Sequence, residues 1–354
     1  MSRYWSDVVN TLKPYVPGEQ PQLENLVKLN TNESPYPPSP RVLEAIREVD
    51  ADTLRLYPDP ESVRLRQAIA ARNGIQPEQV FVGNGSDEVI ALAFTALLKH
   101  QLPICFPDIS YSFYPVWSGL FDVAHTTIPV AQDFSIDPSS YPPKNGGIII
   151  PNPNAPTGIL MGLDAIRALL LRSADSVVVI DEAYIDFGGE SAVQLIEDFD
   201  NLLVVQTFSK SRALAGLRVG FAMGHSALIE ALGRVKNSFN SYPLDVIAQR
   251  AGLAALEDEN YFRLGCQRVM DARGGLVSGL ATLGFEVLPS SANFVFASHS
   301  QIPARELFDR LRAGGIVVRY FDKPRIDNYL RISIGTDEDN KALLVALKEL
   351  VENR

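Results

Sequence analysis

From about residue 60 onward the chain alternates between two hydrophobic patterns. Residues 61–73 read as a helix closed by Gly74, and residues 79–82 as a short strand. Residues 87–100 place Val89, Ile90, Ala93, Phe94, Leu97 and Leu98 at helical spacing. Apolar runs at 104–106, 148–150, 177–180, 202–205 and 219–221 predict strands, with a helix over 163–172 between the second and third. Several runs are continuously apolar, as strands buried on both faces of a mostly parallel sheet are. Strand-helix alternation of this kind predicts an α/β layer fold.

Beyond Pro243 the texture changes. A long helical region extends to about residue 283, followed by strands at 286–288, 293–297, 316–321 and 329–334, with a helix at 303–312. Thr336 is placed to cap a final helix whose first turn holds Asp337, Glu338 and Asp339 at the positive end of the dipole. This tail reads as a smaller α+β domain, and Pro35, Pro37, Pro38 and Pro40 make the early segment an extended arm. The expected division is an arm over residues 1–40, a large domain over 41–255 and a small domain over 256–354.

Composition narrows the function classes. The 354 residues are 46% hydrophobic and 21% charged, and 32 basic against 42 acidic residues give a net charge of −10. That excess of acid, with no basic cluster, speaks against a nucleic-acid partner. Cys105 and Cys266 read as free core thiols of a reducing compartment. The N-terminus lacks the layout of a signal peptide and no apolar run is long enough to span a bilayer, so a cytoplasmic protein without a membrane partner is expected. The four scattered histidines show no ligand spacing, and no metal site is expected.

The chemistry concentrates in Thr207-Phe208-Ser209-Lys210-Ser211-Arg212-Ala213-Leu214, which follows the apolar run 202–205 and precedes Gly216-Leu217-Arg218. A lysine at the end of a buried strand can condense with an aldehyde, and the neighbouring Ser209 and Arg218 can hold a phosphate. Those are the demands of pyridoxal phosphate (PLP). A solvated strand end would also show Ser-Lys, so the remaining needs of that cofactor must be met elsewhere in the chain. Val82-Gly83-Asn84-Gly85-Ser86-Asp87-Glu88 supplies a strand, a glycine turn and a helix start, a general anion-binding arrangement. Asp181, just after the run 177–180, is a carboxylate able to keep a pyridine nitrogen protonated at the sheet edge where ligands bind. Tyr184 is near enough to donate to the ring hydroxyl. Period-two alternation would turn it away from Asp181 unless the strand ends there.

Asn152-Pro153-Asn154-Ala155-Pro156-Thr157-Gly158, Asp181-Glu182-Ala183-Tyr184 and Ser209-Lys210 with Arg218 together resemble the PLP-dependent aminotransferases related to aspartate aminotransferase. The likeness runs over nearly the whole chain. It implies PLP-dependent transferase fold type I, with a large domain whose mostly parallel sheet is sandwiched by helices. Lys28 to Tyr36, Leu56-Tyr57-Pro58-Asp59-Pro60, Tyr111-Ser112-Phe113-Tyr114, Val235-Lys236-Asn237-Ser238 and Tyr329 to Gly335 are similar to the histidinol-phosphate aminotransferases.

That resemblance implies roles. Lys210, Asp181 and Tyr184 would be catalytic. Gly85, Ser86 and Asp87 would hold the cofactor phosphate, and Tyr111 would stack on its ring. Tyr57 would reach the phosphate in a neighbouring subunit, which implies a homodimer. Arg331 would bind the acidic end of the substrate, with Tyr36 and Arg319 holding a substrate phosphate. The asparagine that usually precedes Pro-Thr-Gly is Ala155 here, so either Asn154 takes its place or Tyr184 works alone. The implied reaction exchanges an amino group between L-histidinol phosphate and 2-oxoglutarate, giving imidazole acetol phosphate and L-glutamate in histidine biosynthesis. A broad aromatic or aspartate-type aminotransferase and a decarboxylase of a phosphorylated amino acid use the same machinery and remain alternatives. A non-catalytic regulator of this fold would need a basic DNA-binding module, for which neither terminus has room.

Overall fold

In the computed structural model, which describes residues 2–21 and 26–353, the apolar runs of the first two thirds form one seven-stranded sheet. After the arm strand β1 (Val27–Lys28) come its members β2 (Val80–Asn84), β3 (Ile104–Pro107), β4 (His125–Ile128), β5 (Ile148–Pro151), β6 (Val178–Asp181), β7 (Leu202–Thr207) and β8 (Val219–Gly224). Their spatial order is β2-β8-β7-β6-β5-β3-β4. Pairing is parallel from β7 across to β4, while β8 runs antiparallel to both β7 and β2.

Alternate residues of the central strands feed two cores. Ile148, Ile150, Val178, Ile180 and Val204 pack with the helices Val63–Asn73, Leu163–Arg172 and Val246–Glu257. Ile149, Val179, Leu203 and Val205 pack with Gly85–Ala96, Tyr114–Phe121 and Ser226–Phe239. With helices on both faces these strands have no solvent side, which is why their runs are uniformly apolar. Each such side chain contributes roughly 1.5–3 kcal/mol by leaving water, and within this slab a charge is tolerable only at a strand end. The parallel arrangement brings the carboxyl ends of β5, β6 and β7 to a common edge.

The last third forms a second body. Strands β9 (Phe285–Val287), β10 (Phe294–His299), β11 (Ile316–Val317), β12 (Arg319–Tyr320) and β13 (Leu330–Ser333) include a four-stranded antiparallel sheet of order β12-β13-β10-β9. Its core is shared with the helices Glu259–Thr282, Ala304–Ala313 and Asp337–Glu352. Leu29 of the arm is buried in the same core, and β1 pairs with β11 in parallel. Thr336 caps the last helix, and Asp339 returns the bond to its backbone.

Local pattern and structure part company where neighbours decide. The strand β4 went unread because His125, Thr126 and Thr127 are polar and exposed on a sheet edge. The helix Ser226–Phe239 was also unread. The helical stretch after Pro243 is two helices, broken at Asp258, whose side chain accepts from Tyr261 N (3.3 Å) and caps the second. The expected strand 316–321 divides into β11 and β12, which serve different sheets.

Candidate active site

A cleft opens where the carboxyl edge of the large sheet meets β12, β13 and the arm. Lys210, Asp181, Tyr184, Ser86, Asp87, Tyr111, Ser209, Arg218, Arg319 and Arg331 all line it. These residues are scattered from position 86 to position 331, and the fold brings them to one place.

Strand β6 ends at Asp181, and a tight turn at Ile185–Phe187 follows. The break lets Asp181 and Tyr184 face the same cleft, as the sequence requires of them. Glu182 points to the opposite side, where it accepts from Ser191 Oγ and Ala192 N (both 2.6 Å). The Asp181 carboxylate accepts from Tyr114 Oη (2.9 Å) and Ala183 N (3.3 Å). Burial nevertheless pushes its pKa up to about 6; the Tyr114 bond works against that shift, and the charge of Asp87 adds to it. A buried carboxylate with no ion-pair partner among the described residues is suited to a cationic ring nitrogen.

Strand β7 continues two residues past the expected end because Thr207 pairs with Gly220 of β8. The chain then leaves the sheet, and the Lys210 amine donates to Thr31 O at 3.1 Å. Burial lowers the Lys210 pKa to about 8; the positive charges of Arg331 and, more weakly, Arg218 push the same way, against Glu33 and Asp87. At pH 7 about a tenth of this amine is therefore unprotonated and nucleophilic, against about one in three thousand at the ordinary value of 10.5.

The phosphate end is built from close backbone approach. A Cβ on Gly220 would run into Gly85 and Ser86 backbone, and one on Gly85, at φ +80°, would strike the Arg218 guanidinium. Without side chains there, the helix Gly85–Ala96 presents its unpaired N-terminal N–H groups beside Arg218, Thr207 and Ser209. This donor set fits a phosphate dianion. Asp87 can add only its backbone N–H, since its carboxylate accepts from Arg218 Nη2 (2.9 Å) and Tyr111 Oη (3.0 Å).

At the far wall Arg331 is half-buried, donates from Nη2 to Asn30 O (2.8 Å), and has a buried Nε with no partner among the described residues. Arg319 is half-buried beside the arm, within 3.4 Å of Val16 O. Three expected residues stand elsewhere. Asn154 is not in the cleft wall: its amide donates to Ile109 O (2.9 Å), and the methyl of Ala155 faces the cleft instead. Tyr36 lies under Arg268 (3.7 Å from ring centroid) beside a separate pocket. Tyr57 is 83% exposed and stacks on Tyr242, outside the cleft of its own chain. Sequence reading missed Tyr15, Thr31, Asn32, Tyr114 and Thr207. Thr207 carries a signal, two residues before Ser209 in the same motif, as does Tyr114, three residues after Tyr111 and at the start of the next helix.

Residues 24–347 match the family model for aminotransferase class I and II. The chain belongs to the class I and II aminotransferases. It is 60% identical over 354 residues to histidinol-phosphate aminotransferase 1 of Hydrogenovibrio crunogenus, covering 100% of this chain and 99% of that one. It is 61% identical to histidinol-phosphate aminotransferase 2 of Dechloromonas aromatica, covering 99% of each. Among solved structures, histidinol-phosphate aminotransferase from Sinorhizobium meliloti in complex with pyridoxal-5'-phosphate superimposes with a TM-score of 0.89 at 25% identity, over 100% of this chain and 99% of that one. The fold is that of the PLP-dependent aminotransferases, type I.

The raised pKa of Asp181 has a consequence for stability. Because its folded value lies above the ordinary 3.8, the cofactor-free protein loses stability as pH rises from about 4 to about 6, and the penalty is complete above that. Asp181→Asn should therefore stabilise the cofactor-free protein by about 2–3 kcal/mol at pH 8 and by little at pH 4. Urea unfolding at the two pH values checks this, and equal effects at both would contradict it.

Proposed function

We propose that this chain is a PLP-dependent enzyme that interconverts L-histidinol phosphate and 2-oxoglutarate with imidazole acetol phosphate and L-glutamate. The observation that carries this reading is a pair of separate cationic groups in one cleft. Arg218 stands just before β8 of the large sheet and Arg331 and Arg319 on the small one, with Arg218 and Arg331 both close enough to Lys210 for their charge to depress its amine. One group suits a cofactor phosphate and the other an anionic substrate, and relatives near 60% identity over full length are histidinol-phosphate aminotransferases.

When bound, PLP supplies the aldehyde that accepts the amino group and a ring that withdraws electrons from the substrate. The chain's own residues divide the remaining work. Ser209, Thr207, Arg218 and the helix N-terminus at Gly85 and Ser86 anchor the phosphate. Asp181 would hold a proton on the ring nitrogen, Tyr184 would donate to the ring oxygen, and Tyr111 would supply an aromatic wall for the ring. Lys210 Nζ, about half neutral at pH 8, is the base for the substrate's Cα proton. Arg331 receives the carboxylates of glutamate and 2-oxoglutarate and shares the phosphate of histidinol phosphate with Arg319. Tyr15 and Phe321 add aromatic surface to the same cleft.

We further read residues 41–255 as the cofactor-binding domain, 256–354 as the smaller domain and 1–40 as an arm, in a cytoplasmic homodimer. Leu54, Leu56, Tyr57, Phe239 and Tyr242 are all exposed apolar side chains, and in such a dimer Tyr57, stacked on Tyr242, would be the residue that enters the partner's cleft. No helix among the described residues is long and apolar enough to cross a membrane.

Arg319→Ala should lower kcat/KM for histidinol phosphate about tenfold or more, by loss of one charge-assisted contact in a half-buried site, and that for phenylalanine by less than about threefold. Transamination assays with the two donors check this; equal losses would make Arg319 structural and favour a broad aromatic specificity. Sharing of Tyr57 is tested by mixing Tyr57→Phe chains with Lys210→Ala chains, since the heterodimer then has one site with both defects and one with neither. Activity should recover toward half per heterodimer. Recovery no greater than the separate homodimers show, when Tyr57→Phe alone is impaired, would refute composite sites.

A further inference from the structure

Three consecutive arm residues each touch a different functional side chain. The carbonyl of Asn30 accepts from Arg331, that of Thr31 accepts from Lys210, and the Asn32 amide donates from Nδ2 to Tyr184 Oη at 3.0 Å. Asn32 is the most tightly held of the three. It is 1% exposed and sits at φ 57°, a left-handed conformation that asparagine tolerates better than most residues. Its backbone N–H donates to Ser333 Oγ (2.9 Å), its Oδ1 accepts from the same hydroxyl (2.9 Å), and its carbonyl accepts from Asn293 Nδ2 (2.9 Å).

This network sets the direction of the amide. Ser333 Oγ already accepts from the backbone N–H of Asn32, so its own proton is satisfied by Oδ1, which leaves Nδ2 to face Tyr184. Tyr184 Oη is then an acceptor toward Asn32, and its single proton is free for a different partner. The ring is clamped edge-on by Phe294, with centroids 5.0 Å apart at 87°. The wall beside it is the apolar group of Ala155, Ala292 and Phe294. Ala155 brings no donor to this wall.

We propose that Asn32 is a positioning residue for the transamination: by occupying the acceptor side of the Tyr184 hydroxyl it aims the phenolic proton into the cleft, at the cofactor's ring oxygen. This rests on the reading of Tyr184 as the donor to that oxygen. The same side chain ties Tyr184 through Ser333 to β13, the strand that carries Arg331 two residues earlier on the same face. The tuning of the cofactor ring and the placement of the substrate-binding arginine thus share one asparagine. Burial raises the Tyr184 pKa, while the charge of Arg331 and the Asn32 bond oppose it, which agrees with an amide that stabilises electron density on the phenolic oxygen.

The test is the pH midpoint of the visible absorption band of the holoenzyme, measured with excess PLP. A donor to the ring oxygen stabilises its anionic form and holds this midpoint low. Asn32→Gly keeps the left-handed backbone and removes the amide. It should raise the midpoint by roughly half to one pH unit, the worth of one oriented hydrogen bond. Tyr184→Phe should raise it further, and Asn32→Gly should add nothing in that background. Asn32→Asp is the second variant: its shift should be larger with Tyr184 present than in Tyr184→Phe, where only its charge acts, and it serves alone if the glycine variant fails to fold. An Asn32→Gly midpoint equal to wild type, or a shift of the same size with and without the Tyr184 hydroxyl, would overturn the proposal. An unchanged midpoint in Tyr184→Phe itself would remove Tyr184 from the ring oxygen, and with it the reading on which the proposal stands.

Discussion

The burial of one amine organises this molecule. Lys210 is taken out of water between the large sheet and the arm, with a backbone carbonyl as its hydrogen-bond partner and arginines near it. An ammonium in bulk water would stay charged at neutral pH and could neither attack a carbonyl carbon nor take a proton. Here desolvation and like charge disfavour the cationic form. The conditions for that are distributed over the chain. Strand β7 carries Lys210 to the sheet edge, the arm supplies Thr31, and β13 supplies Arg331.

The same slab explains where the other charges stand. Residues of β5, β6 and β7 are buried along both faces, so an ionisable group fits only where a strand runs out. Asp181 occupies such an end, and its pKa near 6 marks a carboxylate that the cofactor-free protein holds at a cost. Arg331, half-buried on β13 of the small sheet, is a second group held at a cost, its buried Nε having no partner among the described residues. These groups are unfavourable in isolation and complementary to a cationic ring nitrogen and an anionic substrate. Stability is given up where binding will restore it.

Much of this could be read from the chain alone, for physical reasons. Buried parallel strands leave apolar runs, and the residues that terminate them, Asp181 and the Ser209-Lys210 pair, stand out against that background. Thr336 and Asp339 marked the last helix because capping is a local bond. Contacts that join distant segments left no trace. Asn32 reaches Tyr184 and Ser333 across 152 and 301 residues, and nothing in Lys-Leu-Asn-Thr-Asn-Glu announces either partner. Tyr15 lines the cleft from an arm without periodicity. Asn154 was weighed as a stand-in for the residue at 155, but which of two adjacent side chains faces a cleft depends on the loop's path, and here Ile109 O claims the amide.

The most direct test of the account is the ionisation of Lys210 itself. Competitive trace acetylation of the cofactor-free protein, quantified lysine by lysine by mass spectrometry from about pH 6 to about pH 11, reports the neutral fraction of each amine. Lys210 should titrate with a midpoint near 8, well below the ordinary lysine value of 10.5. A Lys210 midpoint at the ordinary value would contradict the claim that burial among arginines prepares this amine for chemistry.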